Sequence, residues 1–206
     1  MMYFTRDIYE KMQIRGRFPL KIDNKEKWIQ QLEEFCKVSH ANDKLYNELI
    51  FQHIPEVKND ILQGKKFTDT DVSPKLYERI KEMANEWENV CSMCKAEYDD
   101  IKYKLPSSMQ LLRSYAFHDN EVLSVKKDSN DVLIIELEYY SLIFKNVSQL
   151  EAIDDIVGDI WLYEEVHLSD IGGFEFQVLL YSPKGFLTLH EFSVIADDVF
   201  IEVKRY

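Results

Sequence analysis

The feature that most constrains this chain is a single apolar stripe running from Leu76 through Ile80, Met83, Trp87, Val90, Cys94 and Ile101 to Leu105, with Tyr98 beside it. Only an α-helix brings every third or fourth side chain onto one face. The stripe begins behind Ser73-Pro74, an N-cap residue followed by proline at the first helical position, where a missing amide costs nothing. Pro106 ends it. At 1.5 Å per residue such a helix is about 45 Å long, and a seam of that length needs apolar company. The preceding segments supply it as an intramolecular hairpin; a homodimer through the long helix is the other way to cover it.

Those preceding segments read as shorter helices. Asp23 and Glu26 have the spacing of a capping box, and behind them Trp28, Leu32 and Phe35 repeat at helical intervals. Leu45, Tyr46, Leu49 and Ile50 form a second apolar set, broken at Pro55 before Val57 to Gln63, with Gly64 as the stop.

Past Phe117 the 3.6-residue period disappears. Short runs rich in Val, Ile, Leu, Phe and Tyr alternate with turn residues: strands over Val122–Val125, Val132–Tyr139, Ile160–Leu168, Phe174–Leu180, Phe186–Ile195 and Val199–Val203, with 148–158 as a loop or short helix. Connections this short imply antiparallel pairing. The expected fold is therefore α+β, with a helical bundle or hairpin over 1–106 and an antiparallel β domain over 107–206, a meander closed into a sandwich or half-open barrel.

Charge divides at the same place. Residues 1–105 carry 18 Lys and Arg against 19 Asp and Glu, whereas 106–206 carry 7 against 18. Phosphate backbones are repelled by such a surface, so nucleic acid is not an expected partner; a basic protein or a divalent cation would be attracted. The short basic-aromatic stretches Arg15-Gly16-Arg17-Phe18 and Lys65-Lys66-Phe67 are balanced by nearby acids. No run approaches the roughly 20 apolar residues that span a bilayer, and the N-terminal residues lack a basic flank before an apolar core. A cytoplasmic protein with no membrane partner is expected, in keeping with three cysteines, an odd number set in helical patterns.

Chemistry-bearing motifs are sparse. Cys91-x-x-Cys94 lies deep inside a helix rather than at its N-terminus and has no second pair, which favours core packing over redox or zinc chemistry. No Gly-x-Gly-x-x-Gly, Walker-type loop or Gly-x-Ser-x-Gly occurs, so no cofactor is expected. Period-two alternation puts Trp161, Tyr163, Glu165 and His167 on one face of a strand. With His118-Asp119 before the first strand and His190 on the strand after next, three histidines and two carboxylates could converge. His118, Asp119 and Glu165 are then the candidate catalytic groups, and His118, His167 and His190 the candidate metal ligands. A solvated sheet face is the plainer alternative. The run Asp154, Asp155, Asp159, Glu164 and Glu165 lacks the alternate-ligand register of a calcium loop and reads as a solvated acidic loop or a surface for a basic partner.

Tyr3-Phe4-Thr5, followed by Tyr9-Glu10 and Met12-Gln13, resembles the opening of a family of bacterial proteins of unknown function that begin with a Tyr-Phe-Thr motif. Asp60 to Gly64, Leu76 with Met83-Ala84 and Trp87, and Phe117-His118-Asp119 with Val122 resemble that family's middle landmarks, with Phe117 standing where the family has leucine. The resemblance implies a bacterial cytosolic protein and brings no activity with it. The residues themselves favour a non-enzymatic protein-interaction module, regulatory or toxin-neutralising, built around the acidic β half. The competing expectation is a metal-dependent hydrolase using His118, Asp119, Glu165, His167 and His190.

Overall fold

The computed structural model describes residues 1–38, 44–128, 130–152 and 155–204; Asp154 of the acidic run lies outside them. The element order is α1 (Arg6–Arg15), α2 (Lys25–Val38), α3 (Lys44–His53), α4 (Pro55–Leu62), α5 (Ser73–Ile101) and α6 (Ser107–Gln110), followed by eight strands. These are β1 (Val122–Lys127), β2 (Leu133–Leu137), β3 (Tyr140–Lys145), β4 (Gln149–Ala152), β5 (Ile160–Leu168), β6 (Phe174–Ser182), β7 (Thr188–Ala196) and β8 (Asp198–Val203). The chain is an α+β protein. It divides into two compact units, Arg6–Val90 and Met1–Thr5 with Cys91–Tyr206.

In the helical unit Trp28, fully buried, donates its indole N–H to the Pro19 carbonyl at 2.9 Å and meets Tyr77 of α5 edge-on. Leu76, Ile80, Met83 and Ala84 of the α5 stripe are buried, as are Leu32, Ile50 and Val57 of the shorter helices. Several local expectations are corrected. α2 starts at Lys25, and the cap is Asn24, whose side-chain oxygen accepts from the Lys27 amide, rather than Asp23. The Ser73 hydroxyl, instead of capping α5, donates to the carbonyls of Phe67 and Asp69. Gly64 does end α4: at φ 87°, a conformation that side chains disfavour, it lets the Lys65 amide reach the Asp60 carbonyl. The basic-aromatic stretches serve packing, with Arg17 over the Tyr46 ring, Phe18 buried against Trp28 and Phe67, and Lys65 paired with Asp60 and Asp71.

In the β unit two antiparallel sheets, β1-β2-β3-β8 and β4-β7-β6-β5, face each other as a sandwich. Phe144 of one sheet touches Phe176 of the other, and Trp161 lies among Phe117, Phe176 and Phe192. Each such ring removed from water contributes roughly 1.5–3 kcal/mol, which makes this cluster the anchor of the unit. Of the two expected forms, sandwich and half-open barrel, the sandwich is the one formed. The chain crosses between the two sheets after β3 and returns after β7, and residues 149–152, expected in a loop or helix, form β4 beside β7.

Candidate functional site

Between α6 and β1 the chain makes a docking turn. Phe117, 1% exposed, stacks on Tyr115 and meets Tyr140 and Trp161 edge-on or tilted. The Asn120 side-chain amide donates to the Ala116 and Phe117 carbonyls, and its oxygen accepts from the Tyr139 amide. Asp119 sits at φ 68°, a left-handed conformation that aspartate tolerates better than most residues. Its amide donates to the Trp161 carbonyl at 2.8 Å, and the Trp161 amide donates to Asn120 in return. This clamp turns His118 outward: half-exposed, it lies edge-on to Tyr163 with Nδ1 3.0 Å from Asp119 Oδ1.

A register shift in β5 between Trp161 and Tyr163 corrects the single-face expectation for that strand. Trp161 aligns with Leu180 and faces the core; Glu165 and His167 align with Gln177 and Glu175 on the other face. There the Glu165 carboxylate, fully buried, binds the N-terminal segment through its backbone. Oε1 accepts from the Tyr3 and Phe4 amides at 2.9 and 2.6 Å, and Oε2 accepts from the Met2 amide at 2.8 Å. His167 lies between two carboxylates, Nε2 3.2 Å from Glu165 and Nδ1 2.7 Å from Glu97 of α5, and Glu97 also accepts from the Tyr3 hydroxyl at 2.6 Å.

These contacts set the protonation states. The Glu165 carboxylate, with Glu97 helping against the opposing effect of burial, raises His167 to about 8, so the ring is imidazolium at neutral pH and donates from both nitrogens. Burial works to raise Glu165, yet the hydrogen bonds from His167 and the three amides outweigh it and hold the carboxyl below its ordinary value. Glu97 is likewise lowered, burial being overcome by Tyr3 and His167, and the same bond pushes the Tyr3 phenol up to about 12. Every strong acceptor and donor in the cluster is engaged. An imidazolium of this kind has no lone pair for general-base or metal-ligand work.

The neighbouring Glu164 has the opposite fate. Its Oε2 accepts from the Trp161 indole N–H at 2.8 Å, and burial, only partly offset by that bond, raises its pKa. Glu164, Glu165, His167, Glu97 and His118 all line one cavity of about 300 Å³, together with Tyr3, Phe4, Cys91, Cys94 and Arg113. Cys91 and Cys94, neither of them in a disulfide, lie in its wall. Burial and the Glu165 charge push Cys94 up to about 12, the reverse of an activated nucleophile.

Of the five side chains considered together, the structure gathers Glu165 and His167 directly and brings His118 to the same cavity, with Asp119 exposed beside it. It separates His190, which aligns with Leu180 on the core-facing side of its sheet and lies 2.6 Å from the buried Asp159. Among the described residues no three His, Cys, Asp or Glu side chains form a group that could hold a metal ion.

The chain matches, over residues 3–191, the family model described as Protein of unknown function (DUF4085). It belongs to that family. No curated protein and no solved structure matches it. Within this DUF4085 chain the sequence did not single out Glu97 or Arg113, and the acidic run expected to be solvated instead places Glu164 and Glu165 in β5, with Asp159 and Glu165 buried. Glu97 carried a usable signal, because it stands three residues after Cys94 on the α5 stripe, where a carboxylate facing inward needs a partner. Among the described residues no helix is long and apolar enough to cross a membrane.

Proposed function

We propose that this chain is a non-enzymatic protein-interaction module of the bacterial cytoplasm, a regulator or neutraliser of a basic protein, acting through its acidic β sandwich. The observation that carries the reading is the outer face of β1-β2-β3-β8. Phe200 on edge strand β8 aligns with Ile143 of β3 and, through it, Ile134 of β2. Phe200 is 49% exposed, and the two isoleucines are partly exposed. Asp198 and Glu202 flank Phe200 on the same face of the strand, both exposed. An apolar row flanked by two carboxylates on the open edge strand, with Lys145 opposite Asp198 and Lys126 at the far end of the row, supports docking of a cationic protein at that edge.

A metal-dependent hydrolase built on His118, Asp119, Glu165, His167 and His190 draws no comparable support, because both His167 nitrogens are spent on carboxylates and His190 faces the other side of its sheet. The test compares three baits in native lysate: the unmodified chain, Asp198→Lys/Glu202→Lys, and Phe200→Ser. The reading requires a basic protein retained by the first, released by raising salt, and lost on both variants. Retention of nothing, or equal retention by all three, would remove its basis.

A further inference from the structure

The cavity in the β unit holds two opposite charges that are not spent. Glu164 and Arg113 both line it, and among the described residues neither makes an ion pair, with the other or with any third group. His118 and, after it, Arg113 act on the Glu164 carboxyl electrostatically. Arg113, exposed at the rim, lies over the Tyr98 ring, 5.0 Å from Cζ to centroid. Glu164 is partly buried, with the Trp161 indole as its side-chain donor. Aromatic rings share the lining, with Phe4 stacked on Tyr163 at 4.7 Å and Tyr98 and Tyr115 also present. All other strong charges in the lining are consumed in the Glu97–His167–Glu165 chain or, for His118, face Asp119.

A carboxyl and a guanidinium that make no ion pair, on one small cavity lined with rings, are complementary to a ligand that carries both charges itself. We infer that this cavity binds a free zwitterionic α-amino acid with an apolar or aromatic side chain: its ammonium on Glu164, its carboxylate in the Arg113 fork, its side chain against Phe4, Tyr115 and Tyr163. About 300 Å³ is at the lower end of small-molecule sites, which run from ~300 to ~1,000 Å³, so it holds one such molecule and not a peptide. Arginine suits the carboxylate end because its planar fork binds carboxylate bidentately. The ammonium end benefits from the rings as well as the charge. The inference is independent of the docking face on β8.

Isothermal titration of the full chain with L-phenylalanine tests it, with 2-phenylethylamine and 3-phenylpropionate as the probes lacking one charge each. The expected result is saturable binding of L-phenylalanine and at least about tenfold weaker binding of either analogue. Glu164→Gln, close in shape and still able to accept from Trp161, and Arg113→Ala, at an exposed position, should each weaken L-phenylalanine by about tenfold or more. Circular dichroism establishes that both variants fold. The inference is overturned if L-phenylalanine gives no saturable heat up to about 10 mM, if either analogue binds as well as it does, or if both folded variants bind it unchanged.

Discussion

Glu164 and Glu165 are consecutive residues of one strand, and the structure treats them in opposite ways. Glu165 is given three backbone amides and an imidazolium, and its pKa falls; Glu164 is given one indole N–H in a buried setting, and its pKa rises. Period-two alternation sends the two carboxylates to opposite faces, and the donors waiting on each face decide the rest. One carboxylate is used up in holding the fold, while the other keeps capacity for something from outside. Sequence proximity to a histidine, which drew attention to Glu165, therefore points to the structural carboxylate and not to the available one.

The sharpest way to break the comparison is Glu165→Ala. It leaves the His167 ring short of one partner and three amides without an acceptor, and it should cost about 3–5 kcal/mol of stability, the range for breaking a buried ion pair by removing one partner. Urea denaturation that shifts by less than about 1 kcal/mol would show that the N-terminal segment is not held as described.

Next in size is a pH effect. The folded-state pKa of His167 is raised to about 8, so its contribution is complete below the ordinary histidine value near 6.5 and is lost as pH climbs through about 8. A shift of that size corresponds to about 2 kcal/mol. Glu97 and Glu165, both lowered, contribute above the ordinary carboxylate range and lose their contribution as pH falls through their depressed values. Thermal melts should be highest between those limits and decline from pH 6.5 to 9, and His167→Gln should flatten the alkaline limb.

Glu164→Gln should be a small change in stability, within about 1 kcal/mol and in the stabilising direction at pH 7. The raised pKa means that the folded state pays to ionise Glu164, and the amide removes that demand while still accepting from Trp161. A loss comparable to that of Glu165→Ala would erase the distinction between the two residues. Smallest of all, Asp198→Lys/Glu202→Lys should move the melting midpoint by the equivalent of no more than about 0.5 kcal/mol, because both side chains are exposed.

Much of the fold was legible because it rests on period and punctuation. The α5 stripe, the break at Pro55, the stop at Gly64 and the limits of β5 follow from helical or alternating spacing and from residues that terminate it. The β2–β3 turn was not legible: Glu138-Tyr139 carries no glycine, proline or asparagine, and it is shaped by the Asn120 side chain, 19 residues earlier, which accepts from the Tyr139 amide. β4 was hidden for a similar reason, since four residues with a single clear apolar position, Leu150, read as a loop until a partner strand is present. The candidate site was half legible. Pairing of Glu165 with His167 follows from alternation, but the register shift that turns Trp161 inward, the arrival of Glu97 from α5 and the opposite facing of His190 are all tertiary facts.

The most direct test of the account is the titration of His167 itself by nitrogen-resolved NMR of the imidazole in the intact chain. Two carboxylates, one on each ring nitrogen, predict both nitrogens protonated at pH 7 and a midpoint near 8. A neutral ring at pH 7, titrating at or below the ordinary value of about 6.5, would contradict the account and restore His167 as an available base or ligand.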